Sequence, residues 1–483
     1  MTLPSKGGGS FRRSAPGRDF DFLIVGGGVT GCVMASLLVN RKLAAPGRVA
    51  IVADGAQDPA APAVPDSEWD LRVFALSRAS QRLLTICGAW QLLPAQKFHA
   101  YERMCVWDAL GGIPRGGHPL GGIPRGGIPL GGTSRAVTPP AGISRGETLP
   151  GHIARAGEPA GAGVLRFDCA ELGEPNLGYI VEGRALQTAC RRAAATAGAV
   201  SIEAGIVNIL VDAAQVRVGL SDDRELQCQL LIAADGADSA ARKLLGIDTA
   251  GHSYHQEALV AHVRTAIPHG NTAWQRFLPG GPLAFLPLPD GRSSIVWSTA
   301  RPEARRLRAL APAAFGAALE RASGEVLGAC ELTTPIASFP LRLQYALDYA
   351  RLRAVLVGDA AHAVHPLAGQ GLNLGLLDCA VLAEVLGGDQ RGPRDAVAGG
   401  PACFGEHKLL RRYERRRKAE NLLSATVFDS LERLFSNDSP LLARLRIAGL
   451  TAVGRVPFLK RELAARALGL SGDVPAFLRS GPG

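Results

Sequence analysis

Val355-Leu356-Val357-Gly358-Asp359-Ala360-Ala361-His362, continuing through His365-Pro366-Leu367-Ala368-Gly369-Gln370-Gly371-Leu372-Asn373, is the stretch whose reading decides the fold. Ala354 to Val357 form an apolar run that predicts a buried parallel strand ending on Gly358-Asp359. A glycine-rich turn follows. A helix then opens near Leu372, with Leu374, Leu377, Val381 and Leu382 at helical spacing. An aspartate at the carboxyl end of such a strand can accept hydrogen bonds from cofactor hydroxyls. Gly369 and Gly371 let the backbone approach a flat ring. The helix start offers free N–H groups and the positive end of a dipole. Strand, aspartate, glycine turn and helix together read as a flavin seat.

Two other stretches carry related patterns. Gly26-Gly27-Gly28-Val29-Thr30-Gly31 follows strand residues Phe22 to Val25 and precedes helix residues Cys32 to Val39. That context turns a weak G-x-G-x-x-G into a dinucleotide fingerprint: Gly26 for the tight turn, Gly28 for pyrophosphate approach, Gly31 for close packing of helix on strand. The second strand, Arg48 to Val52, should end on an acid for ribose hydroxyls, yet Ala53 holds that place and Asp54 stands one step on. A one-residue shift reverses side-chain direction in a strand. Asp54 therefore serves only if the strand has already ended, and both readings stay open. The other stretch, Leu230-Leu231-Ile232-Ala233-Ala234-Asp235-Gly236-Ala237-Asp238-Ser239, continues to Arg242 and is again a buried strand ending on Asp-Gly before a helix start. One such unit can be a mere turn with a helix cap. Three in this order argue for a nucleotide-binding sheet.

Size and composition bound what else the chain can be. Its 483 residues can bury more than one core, and 47% hydrophobic content is ordinary for a globular enzyme. The net charge of +10 favours anionic cofactors, acidic partners or anionic lipid. No zinc-ligand spacing or aromatic-basic interleaving supports nucleic acid binding, which we exclude. The 9 cysteines are dispersed without a C-x-x-C pair, as expected of idle thiols in a reducing compartment. Met1 to Arg18 lack an apolar signal core, so the reading is cytoplasmic, with the acid-free start leaving a transit peptide open. The uncharged run Phe22 to Asn40 is long enough to span a bilayer, but its glycine cluster favours a strand and helix.

Residues 111–160 fall into decapeptides, GGIPRGGHPL, GGIPRGGIPL, GGTSRAVTPP, AGISRGETLP and GHIARAGEPA, with arginine in register at 115, 125, 135, 145 and 155. Glycine and proline dominate and no helix or strand period survives, so a disordered insertion in a surface loop is expected, with a basic tether as the alternative. On either side, Val106-Trp107 and Val164 to Phe167 could pair as strands. Leu283 to Leu288 and Ser294 to Ser298 read as a hairpin turning at Pro289-Asp290-Gly291. Leu423, Val427, Leu431 and Leu434 keep helical spacing. The basic run from Arg411 to Lys418 is expected to precede that helix. Such a run is usually a solvated face, and a membrane-facing patch through Arg415, Arg416 and Arg417 is the alternative.

Taken together, these residues resemble the flavin-dependent aromatic hydroxylases of the para-hydroxybenzoate hydroxylase fold. Within them the chain is most similar to the ubiquinone-biosynthesis hydroxylases, over about residues 20–110 and 164–470. The subfamily pieces include Asp70-Leu71-Arg72, Gly88-Ala89-Trp90, Gly178-Tyr179-Ile180-Val181-Glu182, Phe339-Pro340-Leu341 and Tyr413-Glu414-Arg415-Arg416-Arg417. The resemblance implies an α/β fold: a Rossmann-like FAD-binding domain, an interleaved and mainly antiparallel β-sheet substrate domain, and a helical carboxyl-terminal region. The expected bounds are 1–18 for a disordered tail, 19–97, 181–250 and 348–420 for FAD binding, 98–180 and 251–347 for substrate, and 421–483 for the terminal helices.

By matching motif, Gly26, Gly28 and Gly31 would hold the FAD pyrophosphate and Arg72 a phosphate or the ribityl chain. Asp235 and Gly236 match a motif linked to both FAD and nicotinamide use. Asp359 would bind the ribityl chain, and Pro366, Gly369, Gly371 and Asn373 would border the isoalloxazine. The implied activity is hydroxylation of a polyprenylated phenol in ubiquinone biosynthesis, with NAD(P)H and dioxygen, through a flavin hydroperoxide. Another small phenol as substrate, or a non-catalytic FAD-binding scaffold among other quinone-biosynthesis proteins, are the alternatives. No catalytic acid or base is named, because the cofactor carries the reaction. His362 and His365 are read as structural, and no metal site is expected. A flavin halogenase would show W-x-W-x-I-P and a disulfide reductase C-x4-C; neither pattern is present.

Overall fold

A computed structural model describes residues 19–55, 69–109, 113–114, 159–363, 370–388, 404–435 and 440–479. The expected tail 1–18 and nearly all of the decapeptide insertion lie outside these residues, as do His365, Pro366 and Gly369.

One sheet is parallel at its centre. Asp19–Val25 lies between Val49–Ala53 and Glu225–Ala233, and Ala354–Leu356 runs parallel beside the end of Glu225–Ala233. Val200–Glu203 extends one edge, while Val216–Leu220 and Ile206–Val211 extend the other as an antiparallel meander. Because helices cover a parallel sheet on both faces, its strands are apolar throughout rather than alternating. Phe22, Leu23, Ile24, Val49, Leu230 and Val355 are accordingly fully buried. The Val29–Asn40 helix packs between the Gly183–Ala197 and Gln370–Leu386 helices. The uncharged run from Phe22 to Asn40 is thus a strand and a buried helix, and no helix among the described residues is long and apolar enough to cross a membrane.

The second sheet is nine-stranded and antiparallel save for one pair, Thr272–Leu278 beside Arg103–Asp108. The hairpin expected around Pro289-Asp290-Gly291 forms between Gly281–Pro287 and Ser293–Ala300. Leu259, Val263, Phe285 and Trp297 project from one face of this sheet. They pack on Leu307 of the Arg301–Arg308 helix and on Phe315 and Leu319 of the Pro312–Ser323 helix. A small sheet of Val73–Leu76, Gly178–Glu182 and Phe98–Tyr101 stands between the two large ones, with Ile180 and Ala75 meeting Leu288. Arg103–Asp108 pairs antiparallel with Val164–Asp168, as read from the sequence, and Ile113–Pro114 pairs with Pro159–Ala160 just beyond. The insertion is therefore joined at its base.

The carboxyl-terminal region is helical, with one correction. The basic run does not precede the leucine-bearing helix; both belong to a single 29-residue helix, His407–Phe435. Two more helices, Pro440–Arg455 and Pro457–Ala467, follow. The first of them lies on the Val164–Asp168 strand. There Arg446 forms a buried ion pair with Asp108, Nε to Oδ2 at 2.8 Å.

The large sheet also buries an imidazole. His262 is 0% exposed and neither ring nitrogen has a partner. Burial, reinforced by Arg292 and opposed by Asp290, pushes it down from 6.5 to about 4. The folded state thus prefers neutral His262, a preference that contributes stability above the unfolded value and is lost as pH falls from 6.5 through 4. Melting temperature should therefore fall across that interval, and His262→Leu should flatten that part of the curve. An unchanged slope in the variant would assign the acid sensitivity elsewhere.

Candidate cofactor site

The carboxyl ends of Asp19–Val25, Glu225–Ala233 and Ala354–Leu356 come together, and with them the three glycine-bearing turns. Their approach is set by backbone. Gly26 has φ +112°, and a β-carbon there would stand 2.3 Å from the Ala234 carbonyl oxygen. A β-carbon on Gly31 would lie 2.0 Å from the Gly26 oxygen, so helix and turn touch directly. At Gly28, which caps the Val29–Asn40 helix, such an atom meets nothing within 4 Å. The helix start thus faces open space, with no acidic residue in its first turn to oppose an anion.

The third turn closes against the first. Gly358 has φ +60°, and a β-carbon on it would lie 3.0 Å from Thr30 Cγ2. Asp359 is open to the cleft by surface area, yet enough protein surrounds it that burial pushes its carboxyl above the usual range, with His362 and Arg72 opposing. Arg72 is exposed and lies over the Phe74 ring, 5.0 Å from its centroid. Gly371 is the second residue of the Gln370–Leu386 helix and half-buried. The first strand pair resolves the Ala53 question: Val49–Ala53 ends at Ala53, which packs toward Gly27, and Asp54 follows outside the strand and exposed.

Two of the residues expected to touch cofactor are engaged by the protein itself. Asp235 accepts from Ser239 Oγ at 2.5 Å and from the Ala241 N–H at 3.0 Å, capping the short Ala240–Leu244 helix. Asn373 Oδ1 accepts from the Ser77 N–H at 2.9 Å and Ser80 Oγ at 2.7 Å, and its Nδ2 donates to Ala75 O at 2.8 Å. It clasps the flavin-seat helix to the Val73–Leu76 strand and the Arg78–Ile86 helix. Gly236, with φ +83°, faces open space.

Other residues shape the site without standing out in the sequence. Arg242 is buried and donates to Ala360 O at 2.8 Å and Ala237 O at 2.9 Å, lacing the second turn to the third. Arg191 donates to Gly27 O at 3.3 Å from the Gly183–Ala197 helix. Neither has a local signal, since an arginine on a helix is ordinary until its distant partner is known. Beneath Gly358 lies Asp378, whose partners include His362, Arg417 and Asn421. Burial alone would raise its carboxyl, but His362 and Arg417 overcome that and hold it at about 2.

That network corrects the membrane-facing reading of the basic run. Arg417 is 1% exposed and ion-paired to Asp378 at 2.7 Å. Arg416 bridges Glu384 at 2.9 Å and Asp473 at 2.7 Å. Only Arg415 of those three is exposed. A guanidinium spent on buried or paired carboxylates does not supply a lipid-facing field.

The residues fit FAD: an open helix start at Gly28 for pyrophosphate, an acid at Asp359 for hydroxyls, and glycine backbone bordering both. The FAD binding domain family matches residues 189–419. The chain is 35% identical to a ubiquinone hydroxylase of Rhodospirillum rubrum over 96% of this chain and 93% of that protein. It is 32% identical to the 3-demethoxyubiquinol 3-hydroxylase of Escherichia coli over 93% of this chain and 98% of that one. A structure of p-nitrophenol 4-monooxygenase from Pseudomonas putida superposes with a TM-score of 0.62 at 15% identity, covering 93% and 98% of the two chains, a likeness of fold.

Replacing Asn373 by alanine should strand the Ser77 N–H and the Ala75 carbonyl in a buried place. The expected loss is roughly 1–3 kcal/mol of stability, read by urea unfolding. A variant as stable as the parent would show that the clasp is dispensable.

Proposed function

The chain belongs to the FAD-dependent aromatic hydroxylases of ubiquinone biosynthesis, and from that premise we propose that its substrate is a polyprenylated phenol hydroxylated on the ring at the expense of NAD(P)H and dioxygen. The observation that carries this reading is the convergence of the three turns on one cleft, with Gly28 open and Asp359 facing it. FAD, when bound, supplies the chemistry of hydride acceptance and oxygen activation.

The chain's own residues bind and orient. Gly26 and Gly31 keep the first turn tight, and Gly28 admits the pyrophosphate with the helix dipole behind it. Asp359 accepts from ribityl hydroxyls, and Arg72, on the same side, offsets phosphate charge. Asp54 takes adenosine ribose hydroxyls from just past its strand. Gly371 borders the ring, with Pro366 and Gly369 from the preceding turn. Gly236 leaves room beside the second turn, while Asp235 and Asn373 act on the site by holding its backbone. None of these needs to move a proton.

A hydrophobic tail on the substrate requires access from lipid. We propose peripheral contact through the Pro457–Ala467 helix, where Phe458 is 79% exposed beside exposed Val456, Arg455 and Arg461. An exposed aromatic with basic neighbours suits the interface of an anionic bilayer. Phe458→Ser should reduce co-sedimentation with anionic vesicles several-fold while leaving the melting temperature unchanged. Equal sedimentation would remove this helix as the contact.

The function is tested by NAD(P)H oxidation in the presence of prenylated phenols. Stimulated oxidation with a hydroxylated product is expected. Bound FAD without stimulation would favour the scaffold reading. Complementation of strains lacking each ring hydroxylation, with accumulated intermediates identified by mass spectrometry, assigns the ring position. Asp359→Ala should release FAD during gel filtration, and full retention would remove Asp359 from the ribityl contact.

A further inference from the structure

The Gln370–Leu386 helix buries its face in aliphatic side chains, yet Asp378 sits among them at 0% exposure. A carboxylate so placed must have its lone pairs met, and four donors meet them. Oδ2 accepts from the Gly358 N–H at 2.9 Å and from His362 Nε2 at 2.6 Å. Oδ1 accepts from Arg417 Nε at 2.7 Å and Asn421 Nδ2 at 3.1 Å. One oxygen therefore faces the turn that presents Asp359, and the other faces the His407–Phe435 helix.

We propose that Asp378 is a positioning residue for the cofactor seat. Its Oδ2 fixes the Gly358 peptide, and with it the direction of Asp359, while its Oδ1 makes that direction depend on the docked carboxyl-terminal helix. The proposal rests on the FAD reading of the site. Its geometry needs a carboxylate and not merely a polar group. An asparagine here would turn its NH2 toward either the Gly358 N–H and His362 or toward Arg417 and Asn421, setting donor against donor. The Gly358 turn has little else to hold it. Its left-handed φ and its contact with Thr30 leave the peptide dependent on the bond to Asp378 for its orientation.

The experiment compares purified holoenzymes: parent, Asp378→Asn, the double variant Asp378→Asn with Arg417→Gln, and Leu319→Ala as a core control in the other sheet. FAD retention, the visible flavin spectrum and the melting temperature are read on each. Asp378→Asn should weaken FAD retention at least tenfold and alter the flavin band shape. Leu319→Ala should lose melting temperature and keep both. In the double variant the asparagine can donate to the side-chain carbonyl introduced at position 417 and turn its own oxygen back to Gly358, so retention should recover by most of that factor. If Asp378→Asn does not fold, Asn421→Leu, which removes one donor and no charge, should show the same loss in smaller measure. FAD retention and spectrum within twofold of the parent in whichever variant folds would overturn the proposal, as would a loss no greater than that of Leu319→Ala. A parent that retains no FAD would instead overturn the flavin reading itself.

Discussion

The contact between Gly26 and the carbonyl of Ala234 governs the arrangement of everything around it. It joins the ends of two neighbouring parallel strands at a distance no side chain can enter. Because the strands are in fixed register, that contact also sets where the Val29–Asn40 helix begins, and Gly31 then brings the helix against the same turn. Thr30, one residue earlier on that helix, lies against Gly358 of the third strand. Three chain segments more than a hundred residues apart are thereby located to within a few tenths of an ångström by backbone sterics alone. Hydrogen bonds and ion pairs elaborate this frame, which sterics define.

The strongly basic composition has a mostly internal use. Arg353 donates to the carbonyls of Ala213 and Gln229, Arg242 to those of Ala237 and Ala360, and Arg446 and Arg417 pair with buried aspartates. A guanidinium carries five donors in a rigid plane, so one arginine can satisfy several loop carbonyls that would otherwise be buried unmet. In a chain this rich in glycine turns, with 59 glycines, such ties are needed where regular ladders end. Net charge is accordingly a poor guide to the surface field of this protein.

The frame is legible in the sequence because parallel strands buried on both faces write themselves as unbroken apolar runs, and each such run here ends on glycine or Asp-Gly. Leu230 to Asp235 and Ala354 to Asp359 can be placed for that reason. The flanking strands 106–107 and 164–167 are legible from the abrupt change in composition between them. Local pattern fails where a residue's partner is remote. Asp378 lies in a helix that reads as wholly apolar, and its four donors come from 358, 362, 417 and 421. Arg416 and Arg417 resemble surface charge because nothing nearby in sequence reveals Glu384, Asp473 or Asp378. Asn373 sits in the right motif, yet its amide is engaged by residues almost three hundred positions away. Local pattern reports burial and turn chemistry; it does not report which side chain closes a distant loop.

The base of the insertion has a different kind of consequence. Arg103–Asp108 and Val164–Asp168 pair in full, Ile113–Pro114 and Pro159–Ala160 pair beyond them, and Arg446 holds Asp108 from the side. The two ends of the decapeptide array are thus fastened independently of what lies between. Closing a chain between fixed ends costs entropy only as the logarithm of its length, about 0.6 kcal/mol per doubling. Gaining or losing one ten-residue unit then changes folding free energy by only about 0.2 kcal/mol, too little for selection on stability to register. Copy number in this array is free to drift between lineages, and a duplication here is neutral to the fold in a way that a single residue added at Gly26 could never be.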